Sequence, residues 1–154
     1  MEHGAGSEYG RALHAAHQHA MVWLDGLDER PIRPELDADA ILHRFAFDLP
    51  DGATDATAVV EELAPRAAPG LMAMGSSRFF GLVTGGTYPA ALAADWLVSA
   101  WDQNTGPRQV AGATAAVEEA AGRWLLDVLG LAPESGGGFS AAATVSRRLR
   151  SRVI

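Results

Sequence analysis

The sequence predicts a mainly α-helical chain, and three stretches carry that expectation. From Arg11, the apolar residues Leu13, Ala16, Ala20, Trp23, Leu24 and Leu27 recur at helical spacing. Ala90 to Trp101 is rich in Ala, Leu and Trp and holds no breaker. Val117, Ala121, Trp124, Leu125 and Val128 draw a third apolar face, which stops at Gly130 with Leu131 and Pro133 behind it. That is the pattern of a glycine-capped helix end.

The whole chain sets the bounds. Its 154 residues suffice for one domain with a core. At 48% hydrophobic and 20% charged it has a globular composition, not a disordered one. A net charge of −7 argues against a general nucleic-acid binder. Cys is absent, which excludes a disulfide framework, a thiolate metal site and a Cys nucleophile, and suits a cytoplasmic protein. No run reaches the roughly 18 apolar residues of a membrane span, so no membrane partner is expected. Residues 1–10 are acidic and Gly-rich and read as a mobile tail, without the basic-then-apolar order of a signal peptide.

The elements follow in order. Asp25, Gly26, Pro31 and Pro34 end the first helix. His14, His17 and His19 lie on it, and His14 and His17 share a face that could in principle hold a metal. Nothing at local spacing completes such a site, so solvated or partly packed imidazoles are expected. Asp37 caps a short helix carrying Ile41, Leu42 and Phe45. Leu49, Pro50, Asp51 and Gly52 make a turn. A helix from Ala56 to Leu63 is expected to stop at Pro65. Glu61 and Glu62 are neighbours that point different ways on it, which suits solvated residues better than a catalytic pair. Met72 and Met74 suit core filling.

The rest of the chain is organised around residues 78–104. Phe79, Phe80, Leu82 and Val83 read as an apolar strand-like piece, and Gly85-Gly86 as a turn. Thr87 is a candidate cap and Pro89 fits the first turn of the Ala90–Trp101 helix. That helix is apolar nearly all round and is expected to be buried on several sides. Thr114 is the expected cap of the last helix, with Glu118 and Glu119 near its start favouring the dipole.

Several separated motifs here resemble one family. They are Phe79-Phe80-Gly81, then Tyr88-Pro89-Ala90-Ala91-Leu92-Ala93-Ala94-Asp95, then Val117-Glu118-Glu119, Trp124-Leu125-Leu126 and Gly138-Phe139. In this order they resemble the N-terminal part of the group II pyridoxal-phosphate-dependent decarboxylases, the aromatic-amino-acid and glutamate decarboxylase family. The resemblance covers most of residues 11–145. It implies a helical N-terminal arm over 11–75 that wraps onto a second subunit of a homodimer, with Leu24 to Pro31 similar to the usual end of the arm helix. It implies that 76–145 begins the α/β large domain of a type I pyridoxal-phosphate fold. The activity implied is a carboxy-lyase reaction of amino-acid, and so carboxylic-acid, metabolism. An amino-acid substrate would lose its α-carboxylate as carbon dioxide while the cofactor ring takes up the electrons.

The same resemblance implies site residues. Thr84, with Gly85 and Gly86, falls in the loop that approaches the substrate in relatives; the residues alone read rather as a turn threonine beside two glycines kept for backbone geometry. Ala143 and Thr144 stand where relatives contact the cofactor phosphate, at the start of a helix. By composition alone, Ala141-Ala142-Ala143-Thr144 is ordinary helix sequence. Three departures matter. Ser76-Ser77 replaces a common His-Pro, and Ala141 and Ala142 replace a hydroxyl residue and a glycine. All twelve basic residues are Arg, so the chain has no Lys to form the internal Schiff base. The expectation is therefore an N-terminal piece of such an enzyme, inactive alone, with no catalytic residue and no metal ligand of its own. The alternative is a non-catalytic helical protein that pairs with a decarboxylase subunit. Residues 146–154 form a basic tail, with Arg147, Arg148, Arg150 and Arg152. It is read either as a solvated end or as the product of a frameshift soon after Phe139.

Overall fold

Ser7 sets the start of the first helix. Its hydroxyl accepts the Gly10 amide at 3.2 Å, and α1 spans Glu8–Asp25. The computed structural model describes residues 7–84, 86–104, 106 and 108–139. They fall in two units, one ending at Pro89 and the other beginning at Ala90. Glu8, Tyr9 and Gly10, expected in a tail, are helical because Ser7 supplies the cap.

In the first unit, α2 (Ala38–Arg44) starts where Asp37 accepts the Ala40 amide at 2.9 Å, as the sequence suggested. Next, α3 (Ala56–Ala67) starts at Asp55, whose Oδ1 accepts the amides of Thr57 at 3.0 Å and Ala58 at 3.1 Å. It does not stop at Pro65. Pro65 lies inside α3, and a 3₁₀ turn, Ala68–Gly70, follows directly. Proline removes one helical hydrogen bond, but outside contacts hold this turn. Arg44 Nη2 donates to the Pro65 carbonyl at 3.3 Å, and Arg66 pairs with Glu62 and reaches the Arg44 carbonyl. Pro65→Ala restores the missing amide at some cost in unfolded-state restriction. It is expected to raise stability by about 1 kcal/mol, read as a higher urea midpoint.

Helix α1 packs along α3. The buried apolar residues of this unit are small, Ala15 and Ala73, and small side chains let backbones approach closely. Ala12, Ala16, Ala20 and Trp23 are half-buried on the same side, whereas Leu13 is exposed. Leu24 and Leu27 are half-buried too, so the expected face holds except at Leu13. Met72 is half-buried as expected, but Met74 is exposed.

No strand forms among the described residues. The expected strand-like piece at 79–83 forms no strand, and Leu82 and Val83 lie in a turn. Leu82 and Val83 take left-handed backbone angles, φ 59° and 51°. Phe80 and Val83 are 93% and 109% exposed. A strand is stable only against a partner, and the described residues offer none.

In the second unit, α4 (Pro89–Trp101) begins with its proline as expected. Tyr88, not Thr87, stands at the cap position. No residue of α4 is buried, contrary to the expectation from its apolar surface. It shares no packed face with α5 (Gly112–Val128). Thr114 is not the cap of α5; it lies in the first turn and donates its hydroxyl to the Ala111 carbonyl at 3.0 Å. The C-terminus matches the sequence reading. Gly130 has φ +63°, its amide bonds the Asp127 carbonyl at 3.0 Å, and the Leu131 amide reaches back to Leu126 at 2.9 Å.

Candidate functional site

The approach to the Thr84 loop is built from two irregular segments that run antiparallel in the first unit. The amides of Glu35 and Leu36 bond the Pro69 carbonyl at 2.8 and 3.0 Å, and the Ala73 amide bonds Ile32 at 3.1 Å. Farther along, Arg78 Nη2 donates to the Arg30 carbonyl at 2.7 Å. The pairing ends at Asp28. Its Oδ1 accepts the Ser76 hydroxyl, the Ser77 amide and the Ser77 hydroxyl, each at 3.1 Å. Ser76 is buried. On the α1 side, Arg30 donates through Nε and Nη2 to the carbonyls of Gly26 and Val22, both at 3.3 Å, with its guanidinium 4.1 Å above the Trp23 ring.

These bonds set the acid behaviour of the first unit. The Ser77 amide, then the Ser77 and Ser76 hydroxyls, hold the Asp28 carboxyl below its ordinary value against a desolvation effect, with the Arg78 cation helping. The Ala58 amide chiefly does the same for Asp55. A carboxyl whose folded pKa is depressed adds stability above its unfolded value of about 3.9, and that stability is lost as pH falls through the lower folded value. Stability of the first unit is therefore expected to be flat near neutrality and to fall below about pH 4. Urea midpoints at stepped acid pH check this; Asp28→Asn should flatten the acid limb.

Beyond the pairing, Thr84 lies on the exposed turn. Its hydroxyl donates to the Leu82 carbonyl at 3.2 Å and its amide bonds Gly81 at 3.4 Å. These are bonds within the turn, and the hydroxyl keeps its oxygen open to solvent. Ala143 and Thr144 lie outside the described residues, as do Gly85 and the tail at 146–154.

The segment leading toward Ala143 is described as far as Phe139. It forms one wall of an open groove of about 660 Å³ in the second unit, with α5 as the other wall. Arg108 closes one side by pairing with Glu119, Nε to Oε1 at 2.8 Å and Nη2 to Oε2 at 3.3 Å. Glu119, expected near the helix start, is thus a loop anchor on α5. Leu126 and Phe139 line the apolar part.

The chain was compared with family models, curated proteins and solved structures. None matches it.

Two ligand classes can be tested on the geometry. For a metal, no group of three or more ligating side chains occurs among the described residues. His19 Nε2 instead meets Glu61 Oε2 at 2.9 Å across the α1–α3 contact. Sequence spacing could not foresee this pair, since it joins two helices. For pyridoxal phosphate, the residues that the resemblance assigns to its phosphate, Ala143 and Thr144, lie outside the described residues. The chain has no Lys to attach the cofactor. A Cβ added to Gly136, Gly137 or Gly138 would meet nothing within 4 Å, so this stretch of the groove wall is open. No helix among the described residues is long and apolar enough to cross a membrane.

The sequence also missed the Asp28 cluster. Ser76 and Ser77 stood out only as replacements for His-Pro, and their acceptor lies 48 residues earlier, beyond any local spacing rule.

Proposed function

We propose that this chain is the N-terminal portion of a pyridoxal-phosphate-dependent amino-acid decarboxylase, a carboxy-lyase of the group II family. In this reading, 11–75 is the arm that joins a homodimer and 76–145 opens a type I α/β domain. Thr84 faces the substrate, and Ala143 and Thr144 lie near the cofactor phosphate. The observation that carries the reading is the order of the motifs from Phe79-Phe80-Gly81 through Tyr88-Pro89 and Val117-Glu118-Glu119 to Gly138-Phe139. The helix start at Pro89 and the glycine-capped end at Gly130 support it. So do the uncovered apolar faces of α4 and α5, which suit helices meant to lie on a sheet. A cytoplasmic setting without Cys fits the same reading. Because the chain has no Lys, no step of the reaction is assigned to its own residues.

A second reading is favoured by that same absence of Lys. Here the chain is a non-catalytic helical protein that pairs with a complete decarboxylase subunit through its arm. Co-expression with a full-length family member separates the two. Stable co-purification of the 154-residue chain with that subunit favours pairing. Absence of a complex, together with a downstream frame that continues the enzyme, favours the first reading. Spectral titration with pyridoxal phosphate is expected to give no internal-aldimine absorbance with the chain alone.

A further inference from the structure

We propose that Asp28 is the pin of a clasp that fixes the base of the exposed 79–84 turn, so that one carboxylate oxygen sets the direction of that turn. The inference goes beyond the decarboxylase reading and stands without it.

Side-chain packing does not hold the turn. Phe80, Leu82 and Val83 are exposed, so packing of their side chains does not orient it. Within the turn, the Thr84 amide and hydroxyl bond Gly81 and Leu82, which shapes the turn, and no bond from it to the rest of the first unit occurs among the described residues. The described ties to the rest of the first unit lie at its base. The Phe79 amide bonds the Ser76 carbonyl at 3.0 Å, and Ser76 Oγ accepts the Arg78 amide at 3.3 Å while donating to Asp28. The Ser77 amide and hydroxyl reach the same Oδ1. The Arg78 side chain adds one bond to the Arg30 carbonyl.

An ionised carboxylate accepts only, and it is a stronger acceptor for such donors than a neutral oxygen. Removing it leaves the buried Ser76 hydroxyl without its acceptor and frees the Ser77 amide. Helices α1 and α3 keep their own caps at Ser7 and Asp55. The clasp can therefore open while the helices stay formed, as local opening in proteins commonly does. The segment 76–84 then moves as an arm that, among the described residues, stays tied through Ala73, through Leu27 beside Gly75 and through the Arg78 side chain.

Amide hydrogen exchange on the full chain, read residue by residue, tests this. Asp28→Ala is expected to speed exchange of the Ser77 and Phe79 amides about tenfold or more. Asp28→Asn, which keeps a neutral acceptor oxygen, should fall between it and the unmodified chain. The amides of α1 and α3 should accelerate less than those of Ser77 and Phe79 in both, by no more than the loss of overall stability read from the urea midpoint. The proposal is overturned if Asp28→Ala leaves the Ser77 rate alone, or if the helix amides accelerate as much as Ser77 does. Should Asp28→Ala fail to fold, Ser77→Ala serves, since its side chain is exposed and supplies one of the three donors. Faster exchange at the Ser77 and Phe79 amides alone supports the clasp; unaltered exchange there overturns it.

Discussion

In light scattering, the purified chain is expected to appear as associated species, and a dye that fluoresces on apolar surface is expected to bind it. The cause lies in the second unit. Helix α4 carries Leu97, Val98 and Trp101 exposed, and α5 carries Val117, Trp124 and Val128 exposed, the last two at 71% and 80%. Neither helix has a buried residue or covers the other. Contiguous apolar surface of this kind is rarely left open to water and drives association or aggregation. Trp124→Glu and Val128→Lys together should reduce both scattering and dye binding without loss of helical circular dichroism. A monodisperse monomer that ignores the dye would remove the basis for treating these faces as uncovered.

Trp23→Ala is expected to destabilise the first unit by about 2 kcal/mol, a value reduced from that of a fully buried tryptophan because Trp23 is half-buried. Two contributions are lost together. Trp23 lines an apolar hollow of about 420 Å³ with Ala20, Ala64, Ala67 and Leu71. Its ring also carries the Arg30 guanidinium, which bonds the last carbonyls of α1. Urea unfolding followed by circular dichroism reads the effect. Arg30→Ala should cost less, since the apolar ring stays in the hollow. An unchanged midpoint in Trp23→Ala would mean that the α1–α3 contact rests on its alanines alone.

How much of this was legible follows from which interactions are local. Caps and stops were readable where one residue decides them. Asp37 starts α2, Pro89 starts α4 and Gly130 ends α5 as the sequence indicated. Pro65 misled, because its effect on α3 is offset by Arg44 at the end of α2, which donates to the Pro65 carbonyl, and by Arg66, which ties α3 back to the Arg44 carbonyl. The strand-like piece at 79–83 misled for the opposite reason. Its residues favour a strand, but strand formation is a property of a pair, and no partner is at hand among the described residues. The burial expected of α4 failed likewise, since an apolar surface says only that a cover is needed. At the candidate site, Thr84 was located on its turn, whereas the Asp28 cluster and the His19–Glu61 pair were not seen, because each joins residues far apart in the chain.

The central claim is that these residues are the opening of a decarboxylase subunit. Sequencing the gene and several hundred bases beyond the Ile154 codon, translated in all three frames, tests it most directly. The claim predicts a frame that resumes after the Gly138-Phe139 motif with an Ala/Leu-rich helix and later supplies a His to stack on the cofactor, an Asp for its ring nitrogen and the Lys that this chain lacks. If no frame supplies them, the reading as an enzyme portion fails and the pairing protein is the reading that stands.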